Sequence, residues 1–332
     1  MKADIIAGLQ HGDCGKGKVT HHLCKEGDYT HVIRYNGGCN AGHTIFHEGE
    51  VFVTHHIPAG VFFNIKSIIG PGCVVNIEQF FKELSELEDR LGTQVKSLVK
   101  IAKNAHIITD KHLKEDREDT TIGTTKRGNG PAYRDKYARA GVKAEEMKEL
   151  EPFLIDIYDE LHGSDIEPII LFEGAQGFGL DIDWGDYPYV TSSHCTVAGA
   201  LLNGVPPQAV RNVWGIAKIY ETYVGHKDFQ PEDPIFDILQ SVGQEYGATT
   251  GRPRQCNWLN WDSLEKAIKI NGVNHLVFNK TDILQQIRTW KIRHHNEIFD
   301  FSSEDEMKNW IFSKLSNLDD INLHFSSSPN HL

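Results

Sequence analysis

Short apolar runs recur along the chain and read as strands. Ile5-Ile6-Ala7-Gly8, Val32-Ile33-Arg34-Tyr35, Ile169-Ile170-Leu171-Phe172, Val213-Trp214-Gly215-Ile216 and Leu276-Val277-Phe278 are nearly continuous rather than alternating. A strand covered on both faces needs no polar side, so such runs suit a parallel sheet between layers of helices. Between them, Ile77, Phe80, Phe81, Leu84, Leu87 and Leu91 recur at helical spacing. Asn76 stands where a capping oxygen is needed and Gly92 where the helix should stop. The alternation predicts an α/β fold, with a large, mostly parallel central sheet flanked by helices in the manner of nucleotide-binding folds with a phosphate loop. No internal repeat or obvious linker interrupts the pattern, so residues 1–332 read as one domain. Segments 103–135 and 221–256 are rich in Gly, Thr, Arg and Asp without clear period, and are expected to be long functional loops. Segment 294–332 reads as a helical C-terminal appendage ending in a loop.

Composition narrows the class. The 332 residues suffice for a packed core, and 39% hydrophobic and 24% charged residues are ordinary for a globular protein. Against 34 Lys and Arg stand 46 Asp and Glu, a net charge of −12, so no nucleic-acid partner is expected. A local basic site for a phosphorylated small molecule remains compatible with that balance. No apolar run approaches the ~18 residues of a membrane span, and the N-terminus lacks a leader, so no membrane partner is expected. None of the six cysteines sits in a CxxC pair, which points to the cytoplasm. The 18 histidines include His21-His22, His55-His56 and His294-His295, none at a recognised metal spacing, and they read as surface or core residues.

Six segments carry candidate chemistry. Gly12-Asp13-Cys14-Gly15-Lys16-Gly17-Lys18 follows a predicted strand and fits G-x-x-x-x-G-K, most of a phosphate loop. Glycine amides can close on phosphate oxygens there, and a following helix N-terminus adds positive potential. Val19 replaces the usual Mg2+-holding hydroxyl, and Asp13 could supply the missing oxygen; an ordinary Gly-rich turn is the alternative. Asn36-Gly37-Gly38-Cys39-Asn40-Ala41-Gly42-His43-Thr44 offers a histidine suited to proton transfer, or a plain surface loop. Gly123-Thr124-Thr125-Lys126-Arg127-Gly128, followed by Arg139, collects groups that suit a phosphate monoester. Glu173-Gly174-Ala175-Gln176 and Thr191-Ser192-Ser193 put an amide and hydroxyls at predicted strand ends, where open α/β sheets bind ligands. Gly247-Ala248-Thr249-Thr250-Gly251-Arg252-Pro253-Arg254 could clasp a dicarboxylate with two guanidinium forks, or be a solvated basic loop. Asn279-Lys280-Thr281-Asp282 matches the guanine-reading element of many GTP-binding proteins, whose aspartate accepts from guanine N1–H and the 2-amino group.

Taken in this order, the segments resemble the adenylosuccinate synthetase family from about Ile5 to Leu284. The resemblance implies a homodimeric ligase that joins L-aspartate to C6 of a purine nucleoside 5′-monophosphate through a 6-phosphoryl intermediate, using a nucleoside triphosphate and Mg2+. It implies that Asp13 takes the N1 proton and binds the metal, that His43 stabilises and protonates during phosphoryl transfer, and that the Gly42 carbonyl reaches the metal. Gly12, Gly15, Lys16, Gly17, Lys18 and Thr44 would hold the triphosphate. Asn40, Thr124, Thr125, Gln176 and Thr191 would hold the monophosphate, with Arg139 supplied by the other subunit. Ala248, Thr249, Thr250, Gly251, Arg252 and Arg254 would clasp aspartate, and Asn279, Lys280 and Asp282 would bind the donor base.

The chain departs from the pattern of cellular members. His11 stands for a usual tryptophan, Cys14 for a glutamate, Tyr223 for an arginine, and Arg252-Pro253-Arg254-Gln255 for a run of arginines. A phage-encoded branch of the family uses dGMP with ATP and makes the N6-succinyl precursor of 2-aminoadenine. With Cys14 and His11 set near purine C2, leaving room for a 2-amino group, the chain is expected to follow that branch. The alternative is IMP with GTP, which Asp282 suits. A nucleotide-binding switch without ligase chemistry would not need the Thr-Thr-Gly-Arg-Pro-Arg loop.

Overall fold

Nine strands form one sheet, and every neighbouring pair in it is parallel. From edge to edge they run Asn322–Ser326, His275–Asn279, Val210–Lys218, Lys2–Gly8, Ile169–Glu173, His31–Arg34, Lys66–Ile69, Val99–Ala102 and Leu154–Ile155. The structure, a computed structural model, describes residues 1–163, 167–247, 251–316, 318 and 320–328. All five apolar runs read as strands lie in this sheet, and four of them occupy its middle, which explains their unbroken hydrophobicity. A four-stranded sheet of Tyr220–Tyr223, Gln255–Asn260, Trp290–His294 and Glu297–Phe301 lies beyond the carboxyl end of Val210–Lys218. The hairpin His43–His47 with Glu50–Thr54 follows His31–Arg34 and carries the candidate histidine.

The expected helix spans Ile77–Leu91. Asn76 caps it by accepting from the Gln79 amide at 2.8 Å, and the Gly92 amide closes its last turn on Glu88. Its Phe80, Leu84 and Leu87 are buried in one apolar cluster with Ile69, Val99 and Ile101. No described helix is long and apolar enough to cross a membrane.

Two expectations about organisation need correction. Segment 294–332 is not an appendage: Glu297–Phe301 completes a hairpin, the helix Glu304–Leu315 packs back, and Asn322–Ser326 pairs with His275–Asn279 as an edge strand of the central sheet. An edge strand is only half covered, so its polar-mixed sequence Asn-Leu-His-Phe-Ser hides it. Segments 103–135 and 221–256 also hold the helices Asp110–Glu118, Asn129–Tyr137 and Ile235–Gly243. The first buries His112 and Asp116 rather than an apolar stripe, so no hydrophobic period marks it.

Phe80 is fully buried, edge-on to Phe81 and Phe153 at 5.2 Å. Phe80→Ala should cost about 3–5 kcal/mol of stability through lost burial and the cavity left behind. Urea denaturation checks this, and a loss below ~1 kcal/mol would mean that the cluster collapses around the gap.

Candidate active site

The loop between strand Lys2–Gly8 and helix Lys16–Glu26 is wound by left-handed residues: Gly12 at φ 87°, Asp13 at 48° and Gly15 at 92°. Gly15 and Gly17 admit close neighbours. A Cβ on Gly15 would lie 2.7 Å from Asn279 Nδ2, and one on Gly17 3.0 Å from His43 Cβ and 3.3 Å from Thr44 O. The glycines therefore let the Asn279 turn and the His43-Thr44 strand close on this loop. Lys16 is buried and its Nζ donates to the Gln176 carbonyl. Lys18 Nζ donates to Ser326 Oγ at 2.6 Å and to the Ser328 carbonyl at 3.1 Å. Burial pulls the Lys18 pKa down to about 8, against the opposing pull of Asp282.

His43 sits in a buried ionic cluster. Its Nδ1 meets Glu173 Oε1, and its Nε2 lies 3.3 Å from Arg34 Nη1. Arg34 Nη2 donates to the same Glu173 oxygen at 2.9 Å, and the Ala59 amide donates to the other at 2.9 Å. Burial would raise the Glu173 pKa, but Arg34 and His43 outweigh it and hold the group at about 2. An ionised carboxylate accepts only and a guanidinium donates only, so Nδ1 carries the ring proton and Nε2 accepts. Burial first, then Arg34, lowers the His43 pKa to about 4. The ring is thus neutral near pH 7; to donate at Nε2, as the resemblance implies, it must first gain a proton there.

The expected monophosphate residues meet in part. Asn40 Oδ1 accepts from Gln176 Nε2 at 3.0 Å and from Asn129 Nδ2 at 2.6 Å. Gln176 holds a left-handed φ of 55°, and Asn129 Oδ1 is buried without a partner among the described residues. Thr124 Oγ1 donates to Asp116, whose other oxygen takes the Gly128 amide at 2.7 Å, fixing the turn into helix Asn129–Tyr137. Thr125 is half-buried in that turn, and Gly42 leads into the His43 strand. Thr191 is tied by its amide to the Leu180 carbonyl. Arg139 lies past the helix end, exposed, at φ 62°.

The arginine loop meets the phosphate loop at Asp13. Arg254 Nε donates to Asp13 Oδ2 at 3.0 Å, with Nη2 also at 3.0 Å. Its Nη1 donates to the fully buried Glu245, which also takes Lys218 Nζ at 2.8 Å and the Tyr220 hydroxyl at 2.6 Å. Arg252 donates to the Gly123 carbonyl at 3.2 Å, linking this loop to the Thr124 turn. Gly251 takes a left-handed φ of 66°, while Ala248, Thr249 and Thr250 lie outside the described residues. Asn279 Nδ2 donates to the Cys14 carbonyl at 2.8 Å, and its buried Oδ1 has no partner among the described residues. Lys280, at φ 65°, lies 3.5 Å from Glu245 Oε1. Asp282 is half-buried in the first turn of helix Thr281–Ile287.

The two substituted positions near Asp13 have different surroundings. Cys14 is buried among Ile6, Val19, Leu171, Ile216 and Val277, under the loop rather than over it. The left-handed Asp13 and Gly15 on either side of it let its side chain turn into the sheet. His11 Nε2 pairs with Asp186 at 2.8 Å, and its ring stands edge-on to Tyr223 and Phe229. The sequence assigns no role of their own to the buried ions Arg34, Glu173, Lys218 and Glu245. Three of them close a strand of the central sheet, and a charge ending an apolar run is the signal that could have found them.

Burial lowers the pKa of His21 and His43 to about 4 and of His56 to about 3. Each takes up a proton on unfolding below pH 6.5, so the stability it lends is whole above 6.5 and is lost as pH falls toward 4. Burial also lowers the pKa of His31, His55, His106, His275 and His324, which act in the same direction. Glu83, raised to about 7 by burial, and Glu221, also raised by burial, act oppositely but are outnumbered. The urea midpoint should therefore drop between pH 6.5 and 4.5, and a flat or rising midpoint would contradict this accounting.

The adenylosuccinate synthetase family model matches residues 5–156 and 144–324. The Caldanaerobacter subterraneus subsp. tengcongensis adenylosuccinate synthetase is 37% identical over 348 aligned positions, covering 88% of this chain and 80% of that protein. A Helicobacter pylori (strain Shi470) adenylosuccinate synthetase is 38% identical over 341, covering 87% and 81%. Among solved structures, a fully ligated Plasmodium falciparum adenylosuccinate synthetase superposes with TM-score 0.86 at 26% identity, over 99% of this chain and 98% of that one. A cyanophage S-2L succinoaminodeoxyadenylate synthetase bound to dGMP and dATP gives TM-score 0.76 at 20% identity, over 99% and 93%, a likeness of fold. A family model matched over nearly the whole chain, with relatives close to 40% identical over most of their length, means that the chain belongs to the adenylosuccinate synthetase family of carbon–nitrogen ligases.

Proposed function

We propose that the chain joins L-aspartate to C6 of IMP, with GTP as phosphoryl donor, as a homodimer. The observation that carries this reading is the Asp13–Arg254 contact: the carboxylate suited to purine N1 and the guanidinium suited to aspartate touch at the phosphate loop. The purine C6 oxygen is a poor leaving group until phosphorylated, so a base, a triphosphate site and an amine-donor site must share one space. Asp13 takes the N1 proton, which puts negative charge on O6 for attack on the γ-phosphorus. Lys16, between Gly15 and Gly17 at the start of its helix, and the buried Arg34 beside His43 supply fixed positive charge around the transferring group. Arg254 then presents its planar fork to an aspartate carboxylate.

Mg2+ fits the donors available. Asp13 Oδ2 takes both Arg254 contacts while the side chain remains 36% exposed, so the carboxylate keeps an open face. That face and the Gly42 carbonyl are hard oxygen donors. Bound there, the ion would offset charge on the phosphates.

GTP is favoured over ATP by Asp282. A carboxylate accepts from guanine N1–H and the 2-amino group but would face a bare acceptor at adenine N1. Asn279, bonded to the Cys14 carbonyl, holds this turn against the phosphate loop. The case for dGMP needs Cys14 beside purine C2, and the burial of Cys14 under the loop weighs against it.

The reading is tested by incubating the protein with aspartate and each pairing of IMP, dIMP, GMP and dGMP with ATP and GTP, and weighing the products. Adenylosuccinate formed fastest from IMP and GTP is expected. Faster conversion of dGMP overturns the substrate assignment, and faster use of ATP overturns the donor.

Arg139, exposed at a helix end, is read as serving the neighbouring subunit's monophosphate. Asp13→Asn should lower turnover at least ~10³-fold, and Arg139→Ala should also be inactive. Mixed and exchanged, the two variants should regain up to about a quarter of wild-type activity, since random pairing makes half the dimers hybrid and one site in each hybrid is intact. No recovery after demonstrated exchange would mean that each site is built from one chain.

A further inference from the structure

Glu245 is wholly buried and gathers three cations and a phenol. Its Oε2 takes Arg254 Nη1 and Lys218 Nζ; its Oε1 takes the Tyr220 hydroxyl and lies 3.5 Å from Lys280 Nζ. These partners come from separate places. Lys218 ends the strand Val210–Lys218, Lys280 follows the strand His275–Asn279, and Arg254 belongs to the aspartate clamp. Glu245 and Arg254 stand at the clamp's foot: the Arg254 amide donates to the Glu245 carbonyl at 2.9 Å, and Tyr246 bridges Pro253 next to it. One carboxylate therefore fastens the clamp's foot to the carboxyl ends of two central strands.

We infer that Glu245 is a positioning residue that holds Arg254 at the junction of Asp13 and aspartate and couples aspartate binding to the donor-base element through Lys280. The inference rests on the functional reading above. Arg254 meets two carboxylates with different edges: Nη1 faces Glu245, and Nε with Nη2 faces Asp13. Glu245 is sealed from solvent and Asp13 is a third exposed, so Asp13 is the partner that an incoming aspartate carboxylate can replace. When the exchange occurs, Glu245 keeps the guanidinium in place, and Asp13 is released toward the purine. Lys280 shares the same carboxylate and belongs to the turn that reads the donor base. A shift of Glu245 or of its charge is felt at both sites, which makes their affinities reciprocal.

The test uses Glu245→Gln, a near-isostere whose amide oxygen can still accept from Tyr220 while the charge is gone. Binding of a non-hydrolysable GTP analogue is measured with and without saturating aspartate in the presence of IMP, alongside steady-state constants. In the wild type, aspartate should tighten the analogue at least ~5-fold. In Glu245→Gln that factor should fall below about 2, and KM for aspartate should rise at least ~10-fold while KM for IMP changes little. Lys280→Met, at a partly exposed position, should abolish the coupling with a smaller change in the aspartate KM, and it carries the test alone if the buried variant does not fold. An unchanged coupling factor in a folded Glu245→Gln or in Lys280→Met overturns the inference, as does a wild type without coupling. A wild type that forms no succinyl product instead overturns the functional reading, so the two failures are distinct.

Discussion

Charge taken out of water must be matched locally, and this constraint organises the carboxyl edge of the sheet. Arg34, Glu173 and Lys218 end three strands at that edge, and all are almost fully buried. Alone, each would carry a desolvation penalty of several kcal/mol. They exist as two groups: Arg34 with Glu173 and His43, and Lys218 with Glu245 and Arg254. The first fixes the histidine's tautomer beside the phosphate loop. The second fixes the clamp beside Asp13. Between them runs the central strand Lys2–Gly8, whose loop receives both. The parallel topology makes this possible because it brings every one of these strand ends to the same side.

The sequence made much of this readable and left some of it hidden. Unbroken apolar runs betray buried parallel strands because nothing polar interrupts them. The glycine spacing of the phosphate loop is visible because close approach of Asn279 and His43 permits little else. The edge strand Asn322–Ser326 and the helix Asp110–Glu118 stayed hidden because their burial is partial or polar, and neither leaves a hydrophobic period. The buried ions were hidden for a related reason: a charged letter in a sequence looks solvent-exposed until its partner, often more than a hundred residues away, is known. Glu173 and Arg34 are such a pair, 139 positions apart.

Cys14 and His11 show the limit of reading a motif as a line. Both are substitutions next to the proposed base, and adjacency suggested contact with the purine. In a loop of left-handed residues, however, consecutive side chains leave in unrelated directions. Asp13 turns toward Arg254 while Cys14 turns into the sheet, so neighbours in sequence serve different layers.

The order of the strands also bears on how the chain comes to be folded. Lys2–Gly8 is made first, yet both strands that flank it, Ile169–Glu173 and Val210–Lys218, come from the second half of the chain. At about 5–20 residues per second, a ribosome leaves that apolar strand without either neighbour for roughly 10–30 s. The outer strands His31–Arg34, Lys66–Ile69 and Val99–Ala102 can pair among themselves earlier. The phosphate loop therefore cannot be enclosed before the second half of the chain is made, and an unpaired hydrophobic first strand is what a nascent-chain chaperone would need to shield.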